Sequence, residues 1–193
     1  MGGLIGQRGY TLIELMAAIT IAAILMAIAI PGFRVIAQNT QQRNAISDLN
    51  AVLSKMRTES AVRHRGISFC ASADQLTCSG AATWESGWIL FVDGSSGAAA
   101  NGVLDAGEQV VQVHEKLPSG ITLRTVGPSS VITLNADGLL IDPTTSATAR
   151  VTFRYCDERG LTSLRAIIMG TAGVVRIATD GKDHSGATIT SCI

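Results

Sequence analysis

From Leu15 to Ile30 the chain carries sixteen residues that are apolar apart from Thr20, and an acid, Glu14, stands immediately before them. Sixteen helical residues rise about 24 Å, short of a hydrocarbon core about 30 Å thick. Starting the helix at Leu12 lengthens it to about 28 Å, but only by including Glu14. Such a run reads as a membrane span with a carboxylate near one end. An acid at the centre of a bilayer costs about 2.5–3.5 kcal/mol, and less near the edge. Glu14 is therefore expected only where something neutralises it.

The residues upstream suggest what that is. Gln7-Arg8-Gly9-Tyr10-Thr11-Leu12-Ile13-Glu14 is a short polar leader ending in glycine, followed by the start of the apolar run. Cleavage after Gly9 creates a new amino group on Tyr10 and makes Glu14 the fifth residue of the shortened chain. The amine of one copy can then pair with Glu14 of a neighbour, in a medium where such a pair counts. The acid becomes a register device for helices packed side by side. Two plainer readings compete: a secretory signal cut after Ala27-Ile28-Ala29, and an unprocessed single-pass anchor. Neither accounts for Glu14.

The stretch Gly9 to Pro31 resembles the prepilin N-terminus shared by type IV pilins and type II secretion pseudopilins. The resemblance implies cleavage after Gly9 by a prepilin peptidase and N-methylation of Tyr10, where the family usually has Phe. It also implies that Glu14 guides assembly with other pilins or pseudopilins, and that Pro31 marks a helix irregularity. The expected location is the inner membrane, crossed once, with the remainder in the periplasm and then in a filament.

Beyond Pro31-Gly32, where the lost donor predicts a kink or local melting, the pattern changes. Ala45, Ile46, Leu49, Val52, Leu53 and Met56 recur at three- and four-residue spacing, with Gln42, Asp48, Lys55, Arg57 and Glu59 between them. That is an amphipathic helix with one apolar and one solvated face. Helix from about Thr11 to His64 would be about 80 Å long, more than a small domain needs. The rest reads as β-structure, in short runs separated by Gly, Ser, Asn, Asp and Pro turns: 67–70, 88–92, 110–114, 121–126, 131–134, 151–155, 164–169 and 174–178. Gly170 to Gly173 should turn one strand into the next, and Asp142 to Ala149 should be a loop. The expected fold class is α+β, a long N-terminal helix packed on an antiparallel β head. Its segments are 1–9 (leader), 10–31 (membrane and assembly helix), 32–64 (amphipathic half) and 65–193 (head).

Charge and cysteine content narrow the function classes. Fifteen basic and fifteen acidic residues cancel, so no global pull towards nucleic acid or acidic surfaces exists. Aromatics make up only 4%, leaving the core to Val, Ile, Leu and Ala. None of Cys70, Cys78, Cys156 and Cys192 forms C-x-x-C, and no histidine stands at zinc-ligand spacing, so no metal or cofactor is expected. Four cysteines allow three pairings. The local pair Cys70–Cys78 and the pair Cys156–Cys192, which would pin the C-terminus, are the expected ones, worth roughly 2.5 and 4 kcal/mol on the chain-entropy model. Such pairs place the head in an oxidising compartment; four free buried thiols are the alternative.

Trp84-Glu-Ser-Gly87-Trp88-Ile-Leu-Phe91-Val-Asp93, Asn101-Gly-Val-Leu-Asp105-Ala-Gly107-Glu108 and Cys156-Asp157-Glu158-Arg159-Gly160 resemble the FimT/GspH family of minor pilins and pseudopilins, as does the stretch from Ile167 to Ile177. With the prepilin end, the resemblance covers nearly the whole chain. It implies a low-copy subunit at filament tips or one that primes assembly, and not an enzyme.

Three site hypotheses remain. Family members that bind DNA carry Gly-Arg-x-Arg near the C-terminus; the matching positions here are Gly173-Val174-Val175-Arg176, with one arginine replaced by valine. Arg165 and Lys182 would add to such a site, while Asp180 and Asp183 subtract. Asp93, Asn101, Asp105 and Glu108 are oxygen ligands in a glycine-rich loop, but their spacing is not that of an EF-hand. Asp180, His184 and Ser185 are triad residue types without a nucleophile elbow. The expected function is assembly of a type IV pilus-like filament, with a type II secretion pseudopilin or a DNA-uptake receptor as the alternatives.

Overall fold

The structure is a computed structural model and describes residues 9–94, 99–127, 130–178 and 180–192. The expected leader, apart from Gly9, lies outside them. Helix α1 spans Leu12–Arg63, 52 residues. Contacts divide the chain at Thr40 into two compact units, one ending there and the other running from Gln41.

In the first unit α1 is exposed from Leu12 through Ile24 to Ile36, and apolar there apart from Glu14, Thr20, Gly32 and Arg34. The local melting expected at Pro31-Gly32 is not present: the helix continues through Pro31 without a break. Proline removes one rung of the ladder, and the Ala, Ile and Leu residues before it hold the helix. The hydroxyls of Thr20 and Thr40 donate to the carbonyls of Met16 and Ile36, at 2.7 and 2.9 Å, so each is satisfied within the helix by sharing a ladder acceptor.

In the second unit the remainder of α1 buries Ala45, Leu49, Val52, Leu53 and Met56, the stripe expected from the spacing. Among the described residues nine strands follow, with a 3-10 turn at Trp84–Ser86 between the first two: β1 (Gly66–Ala71), β2 (Trp88–Asp93), β3 (Val110–His114), β4 (Thr122–Val126), β5 (Val131–Leu134), β6 (Leu140–Ile141), β7 (Val151–Asp157), β8 (Gly160–Met169) and β9 (Val175–Ala178). All pairings are antiparallel, in two sheets ordered β3-β2-β1-β5-β6 and β4-β7-β8-β9. The two-residue β6 is too short to carry a period and was not expected.

One core joins the helix stripe to the inner faces of both sheets: Ile67, Phe69, Leu90 and Ile132 from the first, Phe153, Tyr155, Ile167 and Met169 from the second. Trp84 and Trp88 are both fully buried in it. Phe69 stacks on Trp84 at 4.7 Å and Trp84 meets Phe153 edge-on at 5.2 Å, so the scarce aromatics are concentrated where the sheets meet. Gly87, between Trp84 and Trp88, has φ of 112°, and a Cβ there would lie 2.7 Å from the His114 carbonyl oxygen. No larger residue fits that position.

Two polar side chains of α1 break the expected pattern. Gln42, placed by spacing on the solvated face, is buried, and its Nε2 donates to the Ser163 carbonyl. Ser60 Oγ likewise donates to the Asn135 carbonyl at 2.7 Å. The two bonds tie the ends of the buried stripe to one sheet and to the loop leaving the other. Each satisfies a buried polar group that would otherwise be costly.

The outer faces of the sheets carry their own small apolar clusters. On the first sheet, Cys70, Ile89 and Phe91 pack with Cys78, Leu104 and Val131. On the second, Ala166, Ile168 and Ala178 pack with Ile189 from the C-terminal tail. Disulfides Cys70–Cys78 and Cys156–Cys192 close each cover covalently. Asp93, fully buried at the end of β2, accepts the amides of Asn101 and Gly102 and the hydroxyl of Ser68, which also bonds Thr133. Its carboxylate thus joins β1 and β2 to the loop that covers the first sheet.

Truncating Leu49→Ala should lower the unfolding free energy by about 2–5 kcal/mol, because the cavity opens between both sheets; denaturant unfolding followed by tryptophan fluorescence checks it. Tyr155 is buried and its hydroxyl has no hydrogen-bond partner among the described residues. Burial, then the negative charge of Asp157, push it up to about 12. A raised folded-state value gives stability that is complete below about pH 10, the unfolded value, and is lost as pH rises towards 12. In Tyr155→Phe this alkaline loss should shrink, with stability at pH 7 unchanged or higher, measured by melting temperature across pH 8–12.

Candidate functional site

The N-terminal site is built from the first turn of α1. Tyr10 is 89% exposed, and nothing lies within 4 Å of where a Gly9 side chain would begin. Thr11 Oγ1 accepts the amide of Glu14 at 3.3 Å, while Glu14 Oε2 accepts the amide and hydroxyl of Thr11 at 3.1 and 3.0 Å. This is a reciprocal capping box, in which a Thr and a Glu three residues apart satisfy each other's orphan groups. The carboxylate is therefore already engaged within its own chain. Thr11 was not singled out in the sequence, although its T-x-x-E spacing is readable there. The helix that follows is long and apolar enough to cross a membrane. Pro31 lies inside it.

The other candidate residues sit on the head. Gly173 ends the β8–β9 turn, its amide donating to Gly170 at 2.9 Å. With φ of 66° and the Gly138 carbonyl oxygen 3.0 Å from its would-be Cβ, it is explained by the turn alone. Arg176 is exposed on β9, opposite Ile168 of β8. Arg165 cannot join it. Strand alternation puts Arg165 on the face of Ile167 and Met169, and Arg176 on that of Ala166 and Ile168. Arg150 and His184 line the same cleft as Arg176.

The oxygen-rich loop is closed on itself. Glu108 accepts the amides of Gly94 and Asp105, and Asn101 Nδ2 donates to Asp105. Among the described residues no group of three or more His, Cys, Asp or Glu is placed to hold a metal. The triad residue types are not assembled either: Ser185 Oγ donates to Asp183 at 2.6 Å, and the His184 ring bonds Thr152 at 2.9 Å. His114 stacks on Trp88 at 4.0 Å and lies 3.6 Å from Asp48, a packing role.

The fold and N-terminus together define a class, the type IV pilin-like proteins. By structure the chain is similar to the type IV minor pilin FimU of Pseudomonas aeruginosa, with TM-score 0.54 over 81% of this chain and 98% of that one, at 23% identity. The chain belongs to the family described as type II transport protein GspH, whose model matches residues 45–188. The prokaryotic N-terminal methylation motif matches residues 5–30. Among curated relatives, a fimbrial protein of Pseudomonas aeruginosa is 45% identical over 56 residues, 29% of this chain and 35% of that protein. Prepilin peptidase-dependent protein D of Escherichia coli K12 is 42% identical over 67 residues, 33% of this chain and 43% of that protein. The chain thus spans well under half the length of the curated relatives it matches.

Replacing Thr11→Val removes the capping box at a cost of about 1 kcal/mol. Amides of the first helical turn should then exchange with solvent about fivefold faster in detergent micelles, read by hydrogen-exchange mass spectrometry.

Proposed function

We propose that this protein is a minor pilin or pseudopilin whose work is assembly and not catalysis. The observation that carries the reading is Glu14, an acid at the head of an exposed apolar helix, held among the described residues by Thr11. A prepilin peptidase cuts after Gly9, and the new amine on Tyr10 is methylated. The apolar helix anchors the subunit in the inner membrane, with the head in the periplasm. On assembly, Glu14 gives up part of its bonding to Thr11 and takes the Tyr10 amine of a neighbouring subunit. Exchange of a neutral hydroxyl for a cation in a low-dielectric medium strengthens the bond and favours the filament over the free subunit. Pro31 lies on the same exposed helix, and the head supplies lateral contacts.

Glu14→Ala should leave the protein cleaved and membrane-bound but reduce its recovery in sheared filaments by tenfold or more, on the order of one charge-assisted bond. Normal incorporation of that variant overturns the role. The mass of the mature chain checks cleavage after Gly9 against cleavage after Ala29. Deleting the gene separates the two settings within the class: lost pili with normal secretion marks a type IV pilus, and lost secretion with intact pili marks a type II pseudopilus.

A further inference from the structure

A cleft of about 350 Å³ opens on the outer side of the second sheet, where three distant segments meet. Arg150 comes from the residue before β7, Arg176 from β9 and His184 from the C-terminal tail, with Thr171 of the β8–β9 turn beside them. Arg150 and Arg176 are exposed, and neither side chain forms an ion pair or hydrogen bond among the described residues. Every other arginine in the described part of this sheet is engaged: Arg124 with Glu85, Arg154 with the Ser191 carbonyl, Arg159 with Asp157, and Arg165 with the Leu164 carbonyl.

His184 is fixed in place. Its amide donates to Thr152 Oγ1 at 2.8 Å and its Nδ1 meets the same hydroxyl at 2.9 Å, leaving Nε2 as the ring's remaining polar atom. The tail that presents it is anchored beyond by Ile189 in its apolar cluster, by the Arg154–Ser191 bond and by the Cys156–Cys192 disulfide. Two guanidinium groups unpaired among the described residues, one hydrogen-bonded imidazole and Thr171 thus line a single cleft.

We propose that this cleft is an oxyanion site that takes a single phosphate-type group, either free phosphate or the exposed phosphate of a larger molecule. A carboxylate has two oxygens and is saturated by one guanidinium fork, whereas a tetrahedral phosphate has oxygens for both arginines and the histidine. The neighbouring acids set the size of the ligand. Asp180 and Asp183 lie on the adjoining tail and do not line the cleft; Asp183 is held by the Ser185 hydroxyl and the amides of Ser185 and Ala187, and its charge also acts on His184. They repel a long polyanion laid across the tail but leave room for one compact group. The site does not depend on filament assembly, so the two readings fail separately.

The test uses the full chain in an uncharged detergent, titrated calorimetrically with inorganic phosphate against chloride at matched ionic strength. Saturable binding is expected, weakened about tenfold or more by Arg150→Gln and by Arg176→Gln. Arg165→Gln on the opposite face and Glu14→Ala should leave it unchanged, and unaltered melting temperatures show that the variants fold. Vesicles of phosphatidylcholine with and without phosphatidic acid separate a lipid phosphate from free phosphate: phosphate-competed binding to the former assigns the lipid, and its absence assigns the free ion. No phosphate binding, or binding indifferent to both arginine variants, overturns the proposal. So does binding only to single-stranded oligodeoxynucleotides with affinity rising with length, which would make the face a polyanion track.

Discussion

The second unit depends on one contact, the apolar stripe of α1 lodged against the inner faces of two separate sheets. Neither sheet closes into a barrel, and each would expose an apolar face without the helix. Leu49, Leu53 and Met56 have no exposure at all, and burying such a side chain contributes about 1.5–3 kcal/mol each. Because α1 faces both sheets at once, its register also decides how they meet. Gln42 and Ser60 fix that register at either end with directional bonds, which apolar packing alone does not supply.

The same economy governs the outer faces. With charged residues at 16% of the chain, there are few long polar side chains to cover exposed strands. Short pieces of chain do it instead: the Cys78 and Leu104 segments on one sheet, the tail carrying Ile189 on the other. Covers this small bury little area and cannot offset the entropy of ordering them unaided. A disulfide on each supplies the difference by limiting the unfolded chain. The first loop is ordered further by Asp74, whose carboxylate accepts the amides of Leu76 and Thr77 and both neighbouring hydroxyls, which hold it well below the usual carboxylate range.

Much of this was legible because the signals are local. The helix stripe follows from three- and four-residue spacing, and eight strands from short runs between turn residues. Glu14 stands out because an acid before an apolar run is costly wherever it lies. Most of what was missed depends on tertiary contact. Gln42 reads as a surface residue until Ser163, far along the chain, offers its carbonyl. At Pro31 the expected local melting is absent because the neighbouring helical rungs, a local effect, outweigh the one it removes. Arg165 and Arg176 look like partners in the sequence, yet strand alternation turns them to opposite faces. Arg150 stands far along the chain from Arg176 and His184, and no motif links the three; the fold brings them to one cleft.

The covers also tie the protein's solubility to the chemistry of its surroundings. Without the two disulfides, the apolar patches around Ile89 and Phe91 and around Ala166 and Ile168 would keep only the non-covalent part of their covers. A head closed under oxidising conditions would hide both patches more securely than one closed under reducing conditions. Oxidation of the two sulfur pairs therefore bears on the protein's surface as much as on its stability.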